Sequence, residues 1–189
     1  MNNKYTHRLK MLIVLTLLFI SSSNSGATTY SVNRSIGAGS VTGTITTDGS
    51  LGILSASNFL NWELLLNDSK ATFTLYGPES NRSNSNLFLV GNAFSATASE
   101  LIFDFSGSGL ALALFQNPST GSGMNWWCLE GTSCSDNLGG ETLNINGPIQ
   151  FSPYSGQKII ATTFPAPVPA AVWLFGSALI GLIGMRKQS

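Results

Sequence analysis

Apolar residues recur at every second position through most of the central part of the chain. In residues 40–47, Val41 and Ile45 share one face and threonines lie between them. This period of two is typical of strands that bury one face and expose the other. The same period recurs in residues 62–66, 72–76, 87–90, 101–105, 110–115, 143–145 and 158–163. The pattern therefore predicts an all-β body.

Turn residues between these segments indicate how the strands are joined. The Asp-Gly pair at 48–49 predicts a tight hairpin into residues 51–54. The polar triplet 67–69 predicts a second hairpin, between strands 62–66 and 72–76. Eight to ten short strands with turns at this spacing predict an antiparallel β-sandwich or a jelly roll.

The charge distribution separates the two ends from the body. The chain has nine basic and nine acidic residues, and only 10% of its residues are charged, against about 25% in typical soluble proteins. Five basic residues lie near the ends, so the body keeps four against nine acids, a net charge of −5. Without a basic surplus to neutralise phosphates, nucleic-acid binding is excluded.

The first 27 residues have the order of a secretory signal peptide. Three basic residues precede an apolar run at 11–20, and small polar residues follow it up to Ala27. Cleavage is predicted between Ala27 and Thr28. An uncleaved anchor is the alternative, but a ten-residue helix is only about 15 Å long, half of the hydrocarbon core. The signal peptide is assigned to 1–27 and the body to 28–164.

A second apolar segment follows the body. Residues 170–185 carry no charge, and a helix over 168–185 would be about 27 Å long, marginal for a bilayer. Arg186 and Lys187 come next and would hold this end in the cytoplasm. A transmembrane helix with the body outside is therefore predicted. A buried helix of a soluble protein is the alternative, which the missing charges and Trp173 disfavour.

Residues 165–189 resemble a known sorting signal. A Pro-x-Pro motif formed by Pro167, Val168 and Pro169 precedes an apolar helix that contains glycines, and the basic pair Arg186 and Lys187 follows. This order is similar to the PEP-CTERM signal, in which Glu usually stands where this chain has Val168. The resemblance covers about 25 of the 189 residues.

The resemblance implies an exported protein of a Gram-negative bacterium and an exosortase-like processing enzyme as a partner. It implies a precursor anchored in the inner membrane with its body outside the cytoplasm, and then a place at the cell surface or in the extracellular matrix. Proteins with this signal accompany extracellular polysaccharide and biofilm. A non-enzymatic surface or matrix protein is thus expected, with a carbohydrate-binding module as the alternative.

Few residues of the body suit catalysis. The one histidine, His7, lies in the signal peptide, so histidine-dependent nucleophilic catalysis and histidine metal ligation are excluded from the body. A two-carboxylate glycoside hydrolase stays open, with Glu63, Glu100, Asp104 and Glu130 as candidates. Their simpler interpretation is solvated strand faces and loop ends. No cofactor or metal is predicted.

The two cysteines, Cys128 and Cys134, are separated by five intervening residues. Outside the cytoplasm such a pair is expected to form a disulfide. A reactive thiol pair or a metal clip is the alternative, although two cysteines without further ligands make a poor metal site.

Trp126 and Trp127 precede the first cysteine. Neighbouring residues of a strand point to opposite faces, so at most one of the two belongs to the core. The other is a candidate for stacking on a sugar ring. Covering the disulfide or a sandwich edge is the alternative role.

Overall fold

The computed structural model describes residues 26–106, 111–118, 124–130 and 139–164. The predicted sorting signal at 165–189, with its Pro motif, helix and basic pair, lies outside the described residues. The same holds for residues 1–25 of the predicted signal peptide at 1–27, and for Cys134. The described strands are β1 Thr28–Ile36, β2 Gly39–Thr47, β3 Gly52–Ile53, β4 Phe59–Asn67, β5 Thr72–Tyr76, β6 Asn86–Val90, β7 Phe94–Ala96, β8 Glu100–Asp104, β9 Leu112–Asn117, β10 Asn125–Glu130, β11 Gly140–Ile145, β12 Gln150–Pro153 and β13 Gln157–Thr163.

These strands form two antiparallel sheets, in a β-sandwich-like arrangement. Sheet A has eight strands in the order β3-β7-β8-β13-β1-β2-β4-β5, and sheet B has five in the order β12-β11-β10-β9-β6. A short 3-10 turn, Ala56–Asn58, precedes β4. Within the described residues, no helix is both long and apolar enough to cross a membrane. The prediction of an all-β body is confirmed.

The period of two in the sequence corresponds to the two faces of each strand. In β2, Val41 and Ile45 are fully buried, as predicted. The hairpin between β4 and β5 is also confirmed, because Leu64 lies opposite Leu75 and both are buried. Burial of one such leucine stabilises the fold by about 1.5–3 kcal/mol.

Aromatic rings join the two sheets in the core. The Trp62 ring of sheet A meets the Phe115 ring of sheet B edge to face, with the centroids 5.4 Å apart. Phe115 in turn stacks on Trp127, its partner across the β9–β10 ladder, at 5.4 Å. Such pairs add about 0.5–1.5 kcal/mol each beyond the area they bury. The sheets are therefore packed face to face through large, fully enclosed rings.

The hairpin predicted at Asp48 and Gly49 is wrong. The strand that follows, β3, pairs with β7, whereas β2 pairs with β4. The reason is local: the Asp48 amide donates to the Asn58 carbonyl at 2.9 Å, and the Asp48 carboxylate accepts from the Asn58 side chain at 3.0 Å. These bonds tie the turn to the start of β4 instead of to a returning strand.

The expected strand number was also too low, since the described residues contain thirteen strands where eight to ten were predicted. The strands that the alternation did not reveal are β1, β7, β10 and β12. In β1 and β12 the apolar period is interrupted by serine, arginine or proline, and β7 is too short to show a period. β10 has four apolar residues in a row and therefore no period of two.

Candidate functional site

The structure separates the four candidate acids. Glu63 lies on the outer face of sheet A, since it alternates with the buried Trp62 and Leu64. Glu100 and Asp104 lie at the two ends of β8.

Glu130 lies in the other sheet. It alternates with Leu129 and Trp127 of the core and is fully buried on the outer side of sheet B. The two sheets thus carry their candidate acids on opposite sides of the sandwich.

None of these acids forms a hydrolase-like pair. Glu100 and Asp104 are four residues apart on one strand, which corresponds to about 13 Å. Glu63 and Glu100 are on strands separated by four inter-strand steps, about 19 Å in total. Glycosidase carboxylates are roughly 5–9.5 Å apart. The arrangement therefore does not support the two-carboxylate interpretation of these residues.

One carboxylate that the sequence did not single out is buried between the sheets. Glu141 lies on the same inward face of β11 as Leu143 and Ile145, and it is fully buried. Its Oε1 atom accepts a 2.8 Å hydrogen bond from Nε of Arg34, an inward-facing residue of β1. The only signal in the sequence was a charged residue at an apolar position of each strand.

Burial dominates the electrostatics of this carboxylate. It raises the pKa of Glu141 to about 7, although the charge and the hydrogen bond of Arg34 act in the opposite direction. The Arg34 guanidinium also donates to the Ile159 carbonyl at 2.9 Å and lies 5.4 Å from the centre of the Tyr154 ring. This cluster joins β1, β11 and β13 and has the features of a structural tie rather than of an open site.

The tryptophan pair divides as expected, with one ring in the core. Trp127 is fully buried, so the interpretation of this residue as a glycan contact is wrong: its ring is enclosed by the core. Trp126 lies half-buried on the outer face of sheet B, between Gln116 and Asn144 of the neighbouring strands. It alone of the two can meet a ligand.

Cys128 lies on the same outer face as Trp126 and is opposite Thr142. Cys128 and Thr142 are fully buried. Because Cys134 is outside the described residues, the disulfide stays a prediction.

A concave feature lies on the other side of the molecule. The outer groove of sheet A is an open depression of about 310 Å³ across β2, β4 and β5. Its size is at the lower end of the roughly 300–1,000 Å³ of small-molecule clefts. The residues that line it are Thr42, Gly43, Thr44, Glu63, Leu65 and Thr74.

The register of the strands explains how these side chains come together. Thr44 is opposite Glu63, and Glu63 is opposite Tyr76, which forms one row across three strands. Thr42, Leu65 and Thr74 form the next row in the same way. Both rows face outward, because the residues that alternate with them on the three strands belong to the core: Val41, Ile45, Leu64 and Leu75.

Gly43 lies between the two rows at a close approach of two backbones. Its φ angle is +140°, and a Cβ atom there would lie 1.9 Å from the Glu63 carbonyl oxygen. Only glycine suits this position.

The described residues contain no group of three or more His, Cys, Asp and Glu side chains that could hold a metal ion. Comparison with known protein families, curated proteins and solved structures finds no match to the chain.

Proposed function

We propose that the chain is an exported, non-enzymatic protein of the cell surface or extracellular matrix of a Gram-negative bacterium. It is sorted by an exosortase-type signal and is associated with exopolysaccharide or biofilm. The observation that carries this proposal is the order of three features beyond the body: the Pro motif at 167–169, the uncharged run at 170–185, and Arg186 with Lys187. In this account the precursor is held in the inner membrane with its Pro motif just outside, within reach of a membrane enzyme.

The described body is a β-sandwich, and the positions of its candidate acids are compatible with a non-enzymatic role. The four candidate acids are far apart, and the ion pair of Arg34 and Glu141 is enclosed between the sheets. The acidic body and the wide hydroxyl-bearing outer face of sheet A suit a protein that works among hydrated polymers.

The experiment is a double-tag fractionation in a host that has an exosortase. One epitope is placed after Ser189 and another at Gly147, in the exposed β11–β12 turn. The proposal expects the body tag to leave the inner membrane without the terminal tag. Replacement of Pro167 and Pro169 by alanine should keep both tags together in the membrane. If the unchanged chain keeps both tags on one inner-membrane species, the sorting proposal fails.

A carbohydrate-binding module is the second candidate function. The observation that favours it is the outer groove of sheet A, in which hydroxyl groups, a carboxylate and an apolar side chain line one open depression. Retention of the exported protein on the polysaccharide of its own matrix tests this candidate directly.

A further inference from the structure

We propose that the outer groove of sheet A binds a neutral hexose polysaccharide, and that Tyr76 extends the groove as its aromatic wall. The inference rests on the carbohydrate-binding candidate above and assigns it a site different from the tryptophan pair. It is carried by the side chains that the strand register brings together on β2, β4 and β5.

The groove offers polar groups that the fold does not use. In the part of the chain that the structure describes, no hydrogen bond engages the hydroxyl groups of Thr42, Thr44 and Thr74. Each threonine hydroxyl can donate one hydrogen bond and accept two. The Glu63 carboxylate, exposed between Thr44 and Tyr76, adds strong acceptors. Such a set of donors and acceptors matches the hydroxyl groups of a sugar.

The groove also offers apolar surface of the kind that contacts the C–H faces of sugars. Leu65 is 42% exposed at its centre. The Tyr76 ring stands next to Glu63, and its hydroxyl accepts a 3.3 Å hydrogen bond from Nη1 of Arg82. The Arg82 guanidinium lies 5.7 Å from the ring centre. These contacts hold the ring in place, so little conformational freedom is lost when a ligand packs against it.

Charge selects a neutral polymer over an acidic one. Glu63 is the one charged residue among the six that line the groove, and Arg82, beside the Tyr76 ring, is within electrostatic reach of it. These two charges offset each other locally, whereas the body as a whole has a net charge of −5. That net charge repels a polyuronate or a sulfated polymer but not a neutral hexose chain.

The outer face of sheet B is the less suitable surface. Trp126 is half-buried there, and the amide of its neighbour Asn144 already donates to the Gly147 carbonyl at 2.8 Å. A ligand at Trp126 would thus find fewer unused polar groups than a ligand in the groove.

The test uses the full-length chain in detergent and affinity electrophoresis through gels that contain a neutral glucan, a neutral mannan or a polyuronate. Tyr76→Ala removes the aromatic wall, Thr44→Val removes one hydroxyl at nearly constant volume, and Glu63→Gln removes the charge of an exposed residue. Thr162→Val, on the exposed outer face of β13, is the matched control for Thr44→Val. Trp126→Ala tests the other sheet.

The inference expects retardation by at least one neutral polymer and none by the polyuronate. Tyr76→Ala and Thr44→Val should weaken binding at least tenfold, with Thr162→Val and Trp126→Ala unchanged and all variants unfolding at a similar temperature. If Trp126→Ala abolishes binding and the groove variants do not, the groove is the wrong site while the carbohydrate-binding candidate stands. If the unchanged chain binds no neutral polymer, the groove and that candidate both fail, and the export proposal is unaffected.

Discussion

Arg34 and Glu141 form a 2.8 Å ion pair inside the sandwich and connect β1 of sheet A to β11 of sheet B. The carboxylate is fully buried, and the side chain of Arg34 is 18% exposed. Buried pairs of this kind do not by themselves make a fold more stable, since desolvation costs about as much as the attraction returns. They do make the fold sensitive to the loss of either partner.

The first prediction concerns pH. The Glu141 carboxyl has an ordinary pKa of 4.5, and in the folded protein the pKa is raised to about 7. Between these values the folded state holds a proton that the unfolded state has lost. The free energy of unfolding should therefore fall as the pH rises from about 4.5 to 7, by on the order of 3 kcal/mol. Urea unfolding at several pH values measures this slope.

Glu141→Gln is the control, because the amide keeps the shape of the side chain and does not titrate. The free energy of unfolding of Glu141→Gln should lack the fall that Glu141 causes. The difference in this free energy between the unchanged chain and Glu141→Gln should therefore change with pH between about 4.5 and 7. A difference that instead grows in favour of the unchanged chain between pH 3 and 5 would mean that Arg34 outweighs burial.

The second prediction concerns Gly43. Its positive φ and the 1.9 Å approach of the Glu63 carbonyl leave no room for a methyl group. Gly43→Ala should lower the free energy of unfolding by about 3 kcal/mol. Gly147→Ala is the matched control, since its nearest neighbour would be at an ordinary 3.5 Å. Equal stability of the two variants would show that β2 and β4 do not approach as described.

The third prediction separates the two tryptophans. Trp127→Ala should cost about 3–5 kcal/mol, because the ring fills the core and stacks on Phe115. Trp126→Ala should cost roughly 1 kcal/mol or less, since its ring is half-buried on the outer face of sheet B. Chemical unfolding of both variants in parallel is the measurement. The assignment of faces on β10 is wrong if Trp126→Ala is the more damaging change.

The fourth prediction is a disulfide between Cys128 and Cys134. Protein collected after export should weigh about 2 Da less without reductant than after reduction, because two thiol protons are lost. Two free thiols that react with iodoacetamide in freshly exported protein would refute the pairing.

Local patterns in the sequence were sufficient for most strands and for one hairpin. The alternation around Leu64 and Leu75 placed both in the core, and the turn residues between β4 and β5 suited a direct return of the chain. Such signals extend over only a few residues, and within that range the apolar or polar character of each side chain predicts whether it faces the core or the solvent.

The pairing of strands that are far apart in the sequence could not be predicted from these local patterns. Tyr30 pairs with Thr163 and joins the first described strand to the last, and no turn between them records that choice. The pair of Arg34 and Glu141 was missed for the same reason, because a charged residue at an apolar position of a strand does not indicate which distant residue it contacts. The groove, too, depends on the β2–β4 and β4–β5 registers together.

The most direct test of export and sorting is to determine both ends of the protein found outside the cell. Terminal peptide mapping by mass spectrometry, in the native host, gives both ends in one experiment. We predict a mature chain that begins at Thr28 and ends within residues 167–169. A surface protein that keeps residues 11–20 and the basic pair Arg186 and Lys187 would contradict it.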